Sequence, residues 1–131
     1  MSAAPAGSSS PSGEPAVRVV AMPADTNPYG DIFGGWLMSL MDQAAGTVAT
    51  RHSRGRAVTI AVDGMTFHKP VKVGDVVSVH AEVVSVGRSS IRIDVAAWRR
   101  LRDGEASERV TQATFTFVAI GEDGRPRPIG E

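Results

Sequence analysis

The chain contains no cysteine. That excludes a thiol nucleophile and any disulfide, and it suits a reducing compartment. It has no excess charge of either sign, with 14 Lys and Arg against 14 Asp and Glu. A nucleic-acid surface would need a basic patch or stripe. The basic clusters present are Arg99, Arg100 and Arg102, and the pair Arg125 and Arg127. Clusters of that size are ordinarily solvated surface, although a phosphate-bearing ligand could use one. No apolar run reaches the roughly 20 residues of a membrane span. Residues 1–15, MSAAPAGSSSPSGEP, lack the basic start and hydrophobic block of a signal peptide and read as a disordered tail. The expected setting is cytoplasmic, with neither nucleic acid nor membrane as a partner.

Motifs are missing too. No G-x-S-x-G elbow, Walker sequence, dinucleotide-binding glycine fingerprint or H-E-x-x-H pair occurs. His52, His68 and His80 lack metal-ligand spacing and acid partners, and the last two read as surface positions on strands. Neither a metal nor a cofactor is expected.

What the chain does have is IFGGWLMSLMDQAAGTVAT, Ile32 to Thr50, with Asp42 as its single charge. At 3.6 residues per turn, Phe33, Trp36, Leu37, Leu40, Met41, Ala44 and Val48 gather on one face. Asp42 lies nearly opposite, among Gly35, Met38, Ser39 and Gly46. A surface helix would carry Lys and Glu there, so a ligand or a second chain should cover this side. A carboxylate in such a setting is tied up by hydrogen bonds, neutralised, or put to use. The plain alternative is a structural carboxylate held by backbone amides or a nearby Arg. Gly34 and Gly35 at the helix start leave N–H groups open to a ligand, backed by the positive end of the helix dipole. Close packing against a strand would explain them equally well.

The rest is organised simply. Val17 to Met22 is β-prone, and a turn-rich loop from Pro23 to Asp31 should bring Asn27 and Asp31 near the helix start. The helix should stop near Ser53-Arg54-Gly55. Strands are expected over Ala57 to Phe67 with a bend at Asp63-Gly64, over Val76 to Val86, around Ile91 to Val95, and over Val110 to Ala119. Short turns imply an antiparallel sheet, which can bury one apolar helix only by curving around it. The class is α+β, with one domain over residues 16–121 and a C-terminal tail over 122–131.

Three blocks, ADTNPYGDIFGGWLMSLMDQAAG, VDGMTFHKPVKVGDVV and VVSVGRSSIRIDVAAW, resemble the hotdog-fold acyl-CoA thioesterases, and among them the small bacterial acyl-CoA thioester hydrolases of the YciA type. The resemblance covers Val17 to Ala119. It implies a hotdog fold, in which the sheet wraps one long central helix, and two such units paired with acyl-CoA along their interface. It further implies a homo-oligomer, a hexamer built as a trimer of dimers. The coenzyme A is then part of the substrate. On the matching positions, Asp42 would be the catalytic carboxylate, Asn27 would position water or the thioester carbonyl, and the Gly35 amide would hold the carbonyl oxygen. Gly34 and the turn residues Arg88, Ser89 and Ser90 would contact the CoA arm, with Lys69 a candidate phosphate contact. The resemblance leaves open whether Asp42 is general base or nucleophile. A non-catalytic acyl-CoA-binding module would have no need of Asp42 and Asn27 together. A hotdog hydratase or dehydratase typically uses a histidine with an acid, and no histidine lies between Met1 and Arg51.

Overall fold

The structure, a computed structural model, describes residue 11 and residues 13–129. All but residues 11 and 13–15 of the expected N-terminal tail lie outside that range. The elements in order are β1 (Val17–Val20), a single 3-10 turn (Pro23–Asp25), α1 (Gly34–Ser53), β2 (Ala57–Phe67), β3 (Val76–Val86), β4 (Ser90–Arg100) and β5 (Glu108–Ala119). The strands form one antiparallel sheet in the order β1-β3-β4-β5-β2. The expected bend in β2 is present, with Gly64 at φ 72° beside a register shift between Asp63 and Thr66.

Alternation along the strands builds the core. Ile91, Ile93, Val95 and Ala97 of β4 and Ala113, Phe115 and Phe117 of β5 turn inward against α1, with Val77 and Val79 of β3 beside them. The helix meets them through Leu37, Leu40, Met41, Ala44, Ala45 and Ala49. This corrects the expected apolar face in one respect. Phe33 precedes the helix as its N-cap and is 41% exposed, while Ala45 and Ala49 are fully buried. Ranking side chains by bulk missed them because a small side chain on a helix marks close backbone approach as readily as exposure.

Two ends of the fold are secured by arginines expected at the surface. Arg99 donates from Nη1 to Oδ2 of Asp75 at 3.1 Å and from Nη2 to Glu108. Asp75, 2% exposed, also accepts the Lys72 amide at 2.9 Å. Burial works against the Arg99 cation, but hydrogen bonds and charges from Asp75 and Glu108 outweigh it and raise its pKa above the usual arginine value. Arg127 donates from Nη2 to the Ser53 carbonyl at 3.1 Å and from Nε to the Ile120 carbonyl at 3.0 Å. A Cβ at Gly55 would sit 2.5 Å from Arg127 Nη2, so any other residue there would displace the guanidinium from the Ser53 carbonyl. The left-handed helix cap falls instead on Arg54, at φ 57°. The described part of the C-terminal segment therefore lies back on the domain. His80, expected at the surface, is half-buried in β3, and His68 follows β2 rather than lying within it.

Strand β2 forms one margin of the sheet, and Val58, Ile60 and Val62 on it are exposed by 42%, 59% and 37%. An apolar edge of that kind pairs with another strand or aggregates. For the buried ion pair, Arg99→Met should strand the Asp75 carboxylate and cost about 3 kcal/mol. Urea unfolding checks this, and Asp75→Asn added to Arg99→Met should recover part of the loss.

Candidate active site

The loop before the helix is tied by its own asparagine. Asn27 Oδ1 accepts the amides of Tyr29 at 2.9 Å and Asp31 at 3.1 Å. The Asn27 amide donates to the Asp31 carbonyl at 2.7 Å, and Gly30, at φ 84°, closes the turn onto the Asn27 carbonyl. Pro28 follows and biases Asn27 towards extended backbone. With its carbonyl oxygen taken twice, the side chain offers the outside only its NH2 group. Asn27 can donate to a ligand oxygen and has little capacity left to accept. Asp31 pairs with Lys72 at 2.8 Å on the surface.

The loop delivers the chain to Phe33, an extended N-cap whose side chain makes no capping bond. Gly34 and Gly35 follow as the first helical residues, and both are exposed. Among the described residues neither N–H has a backbone acceptor, as is usual for a first turn. These two donors face outward at the positive end of a 20-residue helix.

Asp42 lies on the uncovered side of the same helix. It is exposed in the single chain and accepts a hydrogen bond from Thr59 Oγ1 of β2. Seven residues separate it from Gly35, which places the two within about 20° on the helix and about 10 Å apart along its axis. A thioester carbonyl and one water molecule laid between them would fill that gap. Asn27 and Asp42 bond to different partners within the chain, the one to its own loop and the other to Thr59.

A cleft of about 220 Å³ opens at the helix start. Phe33, Gly34 and Leu37 line it from the helix side, and Phe67, Lys69 and Val110 from the sheet side. The Phe67 ring lies over Gly34, 3.2 Å from where a Cβ would stand. Close packing against a strand thus explains Gly34, while Gly35 has only the Phe33 ring nearby.

The remaining candidates lie elsewhere. The turn carrying Arg88, Ser89 and Ser90 is held by Ala119 N–H on the Ser89 carbonyl and Ile129 N–H on the Arg88 carbonyl, each at 2.8 Å. Ser90 pairs with Val118, whereas Phe67, two residues before Lys69, pairs with Thr111. Seven residues of β5 separate these points, about 24 Å. Lys69 and the Arg88–Ser90 turn therefore do not form one cluster within a chain. Sequence reasoning missed Thr59 and Phe67. Thr59 pairs with Phe117, whose side chain is in the core, so it faces the helix; a register shift between Thr59 and Ala61 then breaks the alternation of β2, which is why simple period-two counting did not single it out.

Among the described residues no helix is long and apolar enough to cross a membrane, and no three His, Cys, Asp or Glu side chains group as metal ligands.

Known proteins are similar to this chain over most of its length. A family model described as Thioesterase superfamily matches residues 29–103. An uncharacterized acyl-CoA thioester hydrolase of Zymomonas mobilis is 56% identical over 88% of this chain and 78% of its own length. The acyl-CoA thioester hydrolase YciA of Salmonella typhimurium is 48% identical over 91% of this chain and 92% of its own. The crystal structure of a hexameric thioesterase from Yersinia pestis superposes with a TM-score of 0.87 at 50% identity, covering 92% of this chain and 98% of that one. The five-stranded antiparallel sheet around one long helix is thus the hotdog fold, and the chain belongs to the thioesterase superfamily, among the acyl-CoA thioester hydrolases of the YciA type.

Proposed function

We propose that this protein hydrolyses acyl-CoA to a free carboxylic acid and CoA. One observation carries the reading: a helix whose only carboxylate, Asp42, shares an uncovered side with the open Gly35 amide at the helix start. A thioester needs little help in leaving, since its thiolate departs without a strong acid. It needs a nucleophile delivered to the carbonyl carbon and a donor for the charge that develops on oxygen. The Gly35 N–H would supply the donor, an interaction worth roughly 3 kcal/mol in comparable sites. Asp42 would supply the base. It takes a proton from water as the new C–O bond forms, and the C–S bond then breaks, with the thiolate taking up a proton. Asn27 would orient that water through its free NH2 group. Direct attack by Asp42 to give a mixed anhydride is the second route, but a donor-only Asn27 favours the water. Neither route calls for a cofactor.

The reading extends to assembly. A second copy laid along β2 would pair the open edge, cover Val58, Ile60 and Val62, and close the side of the helix that carries Asp42. The Yersinia pestis relative is hexameric, and we infer a hexamer here too, built as a trimer of dimers. The CoA arm would then reach the Arg88–Ser90 turn of a neighbouring protomer, while Lys69 stays at the wall of the cleft beside the helix start. A cytoplasmic setting belongs to the same reading, because acyl-CoA carries several charges and stays in the compartment where it is made.

Asp42→Asn keeps the size and hydrogen-bonding capacity of the side chain and removes its basicity. Its kcat on acyl-CoA should fall at least about a hundredfold, with melting temperature and CoA binding kept. Activity within tenfold of the parent would defeat the assignment. Thr59→Val removes the hydrogen bond that holds the Asp42 carboxylate towards β2, and misplacing a catalytic group by about 1 Å can cost up to about a hundredfold, so kcat should drop about tenfold or more. Thr59→Ser should restore most of it; equal losses in both variants would count against this role.

A shared site has its own signature. If Asn27 of one chain works with Asp42 of its partner, Asn27→Ala and Asp42→Ala proteins are each inactive alone. Random pairing makes half the dimers mixed, each with one intact site, so about one quarter of all sites should recover on co-refolding. A mixture that stays inactive despite demonstrated subunit exchange would place the site within one chain or remove Asn27 from it.

A further inference from the structure

Resting on that thioesterase reading, the structure assigns the cleft at the helix start to the acyl chain of the substrate, with Phe67 as the residue that sets its length. The carbonyl fixes where the two arms of the substrate begin, since its oxygen is held at Gly35 next to the cleft mouth. One arm is hydrocarbon. The other, pantetheine, carries two amides and a hydroxyl that need partners wherever they are buried. The cleft suits only the first. Its floor is Leu37, Val71 and Val110, all buried, and Lys69 is its one charged wall residue. A volume of about 220 Å³ is small beside the roughly 300–1,000 Å³ of pockets that hold a whole drug-sized ligand, so it fits one arm and not the molecule.

Phe67 controls the space. It is the last residue of β2, it is 44% exposed, and the tip of its ring meets Gly34 rather than being locked in the core. The backbone beneath it is fixed, because the next amide, His68, donates to the Val110 carbonyl at 2.7 Å. The side chain can therefore be changed without moving the strand. A smaller residue enlarges the cleft at that wall, and a larger one fills it.

The test is kcat/KM of the full chain on acetyl-, butyryl-, hexanoyl-, octanoyl- and lauroyl-CoA. Methylene-scale changes in an apolar pocket alter discrimination by about tenfold or more. Phe67→Ala should raise the lauroyl to butyryl ratio about tenfold, and Phe67→Trp should lower it by a similar factor. Inhibition by free CoA, which has no acyl arm, should be unchanged in both. Should Phe67→Ala fail to fold, Phe67→Leu carries the same expectation with a smaller shift. An unmoved ratio in active variants would overturn the inference and leave the thioesterase reading standing. A uniform loss across the series with weaker CoA inhibition would give the cleft to pantetheine and also overturn it. A parent protein that cleaves none of the series would defeat the thioesterase reading, and this inference with it.

Discussion

One helix has to serve five strands. The concave face of the sheet takes Leu37, Leu40, Met41 and the alanines of α1 and in return covers that side of the helix. Nothing within the described chain covers the other side, nor the free edge of β2. The residues with chemical capacity gather on that uncovered side: the Gly35 amide, Asp42, and Thr59 reaching across from β2. Assembly and catalysis therefore face the same problem. Whatever closes the helix against water also encloses the carboxylate, so on the proposed reading the contact that hides the apolar edge would also complete the site.

The loop ahead of the helix works differently, through hydrogen bonds rather than packing. Its backbone is drawn around the Asn27 side chain, and the Asp31–Lys72 pair lies half exposed on its flank, where ion pairs contribute little. The order of the loop is thus set locally. It presents an amide NH2 group and ends at a helix start that no side chain caps. A capping Ser or Asp at position 33 would have steadied the helix, but it would have occupied the N–H groups a ligand needs. Phe33 leaves them free and adds an apolar wall to the cleft.

Much of the fold was legible because alternation and turns are local signals. The bounds expected for β2 and β3 match those observed, and the bend at Gly64 followed from Asp-Gly alone. Strand order was not legible, since nothing local says that β1 lies beside β3 and β2 beside β5. The residues of the helix end and loop were visible as types: a lone acid, paired glycines, an asparagine among turn formers. Their partners were not. The Thr59 bond to Asp42 depends on where β2 crosses the helix, and the separation of Lys69 from Arg88–Ser90 depends on both flanking β5 from opposite ends. Arg99 and Arg127 looked like solvated charge because sequence shows neither the buried Asp75 nor the helix end that they serve.

Asn27 is followed by Pro28, and that neighbour bears on how long the site lasts. Asparagine ages mainly when the backbone nitrogen of the next residue attacks the side-chain amide, closing a five-membered imide that opens to aspartate. Proline carries no N–H with which to do this. Conversion here would replace the outward NH2 group of Asn27 with a negative charge, at the position proposed to hold the attacking water. The same proline that shapes the turn thus protects the chemical identity of the residue the turn presents.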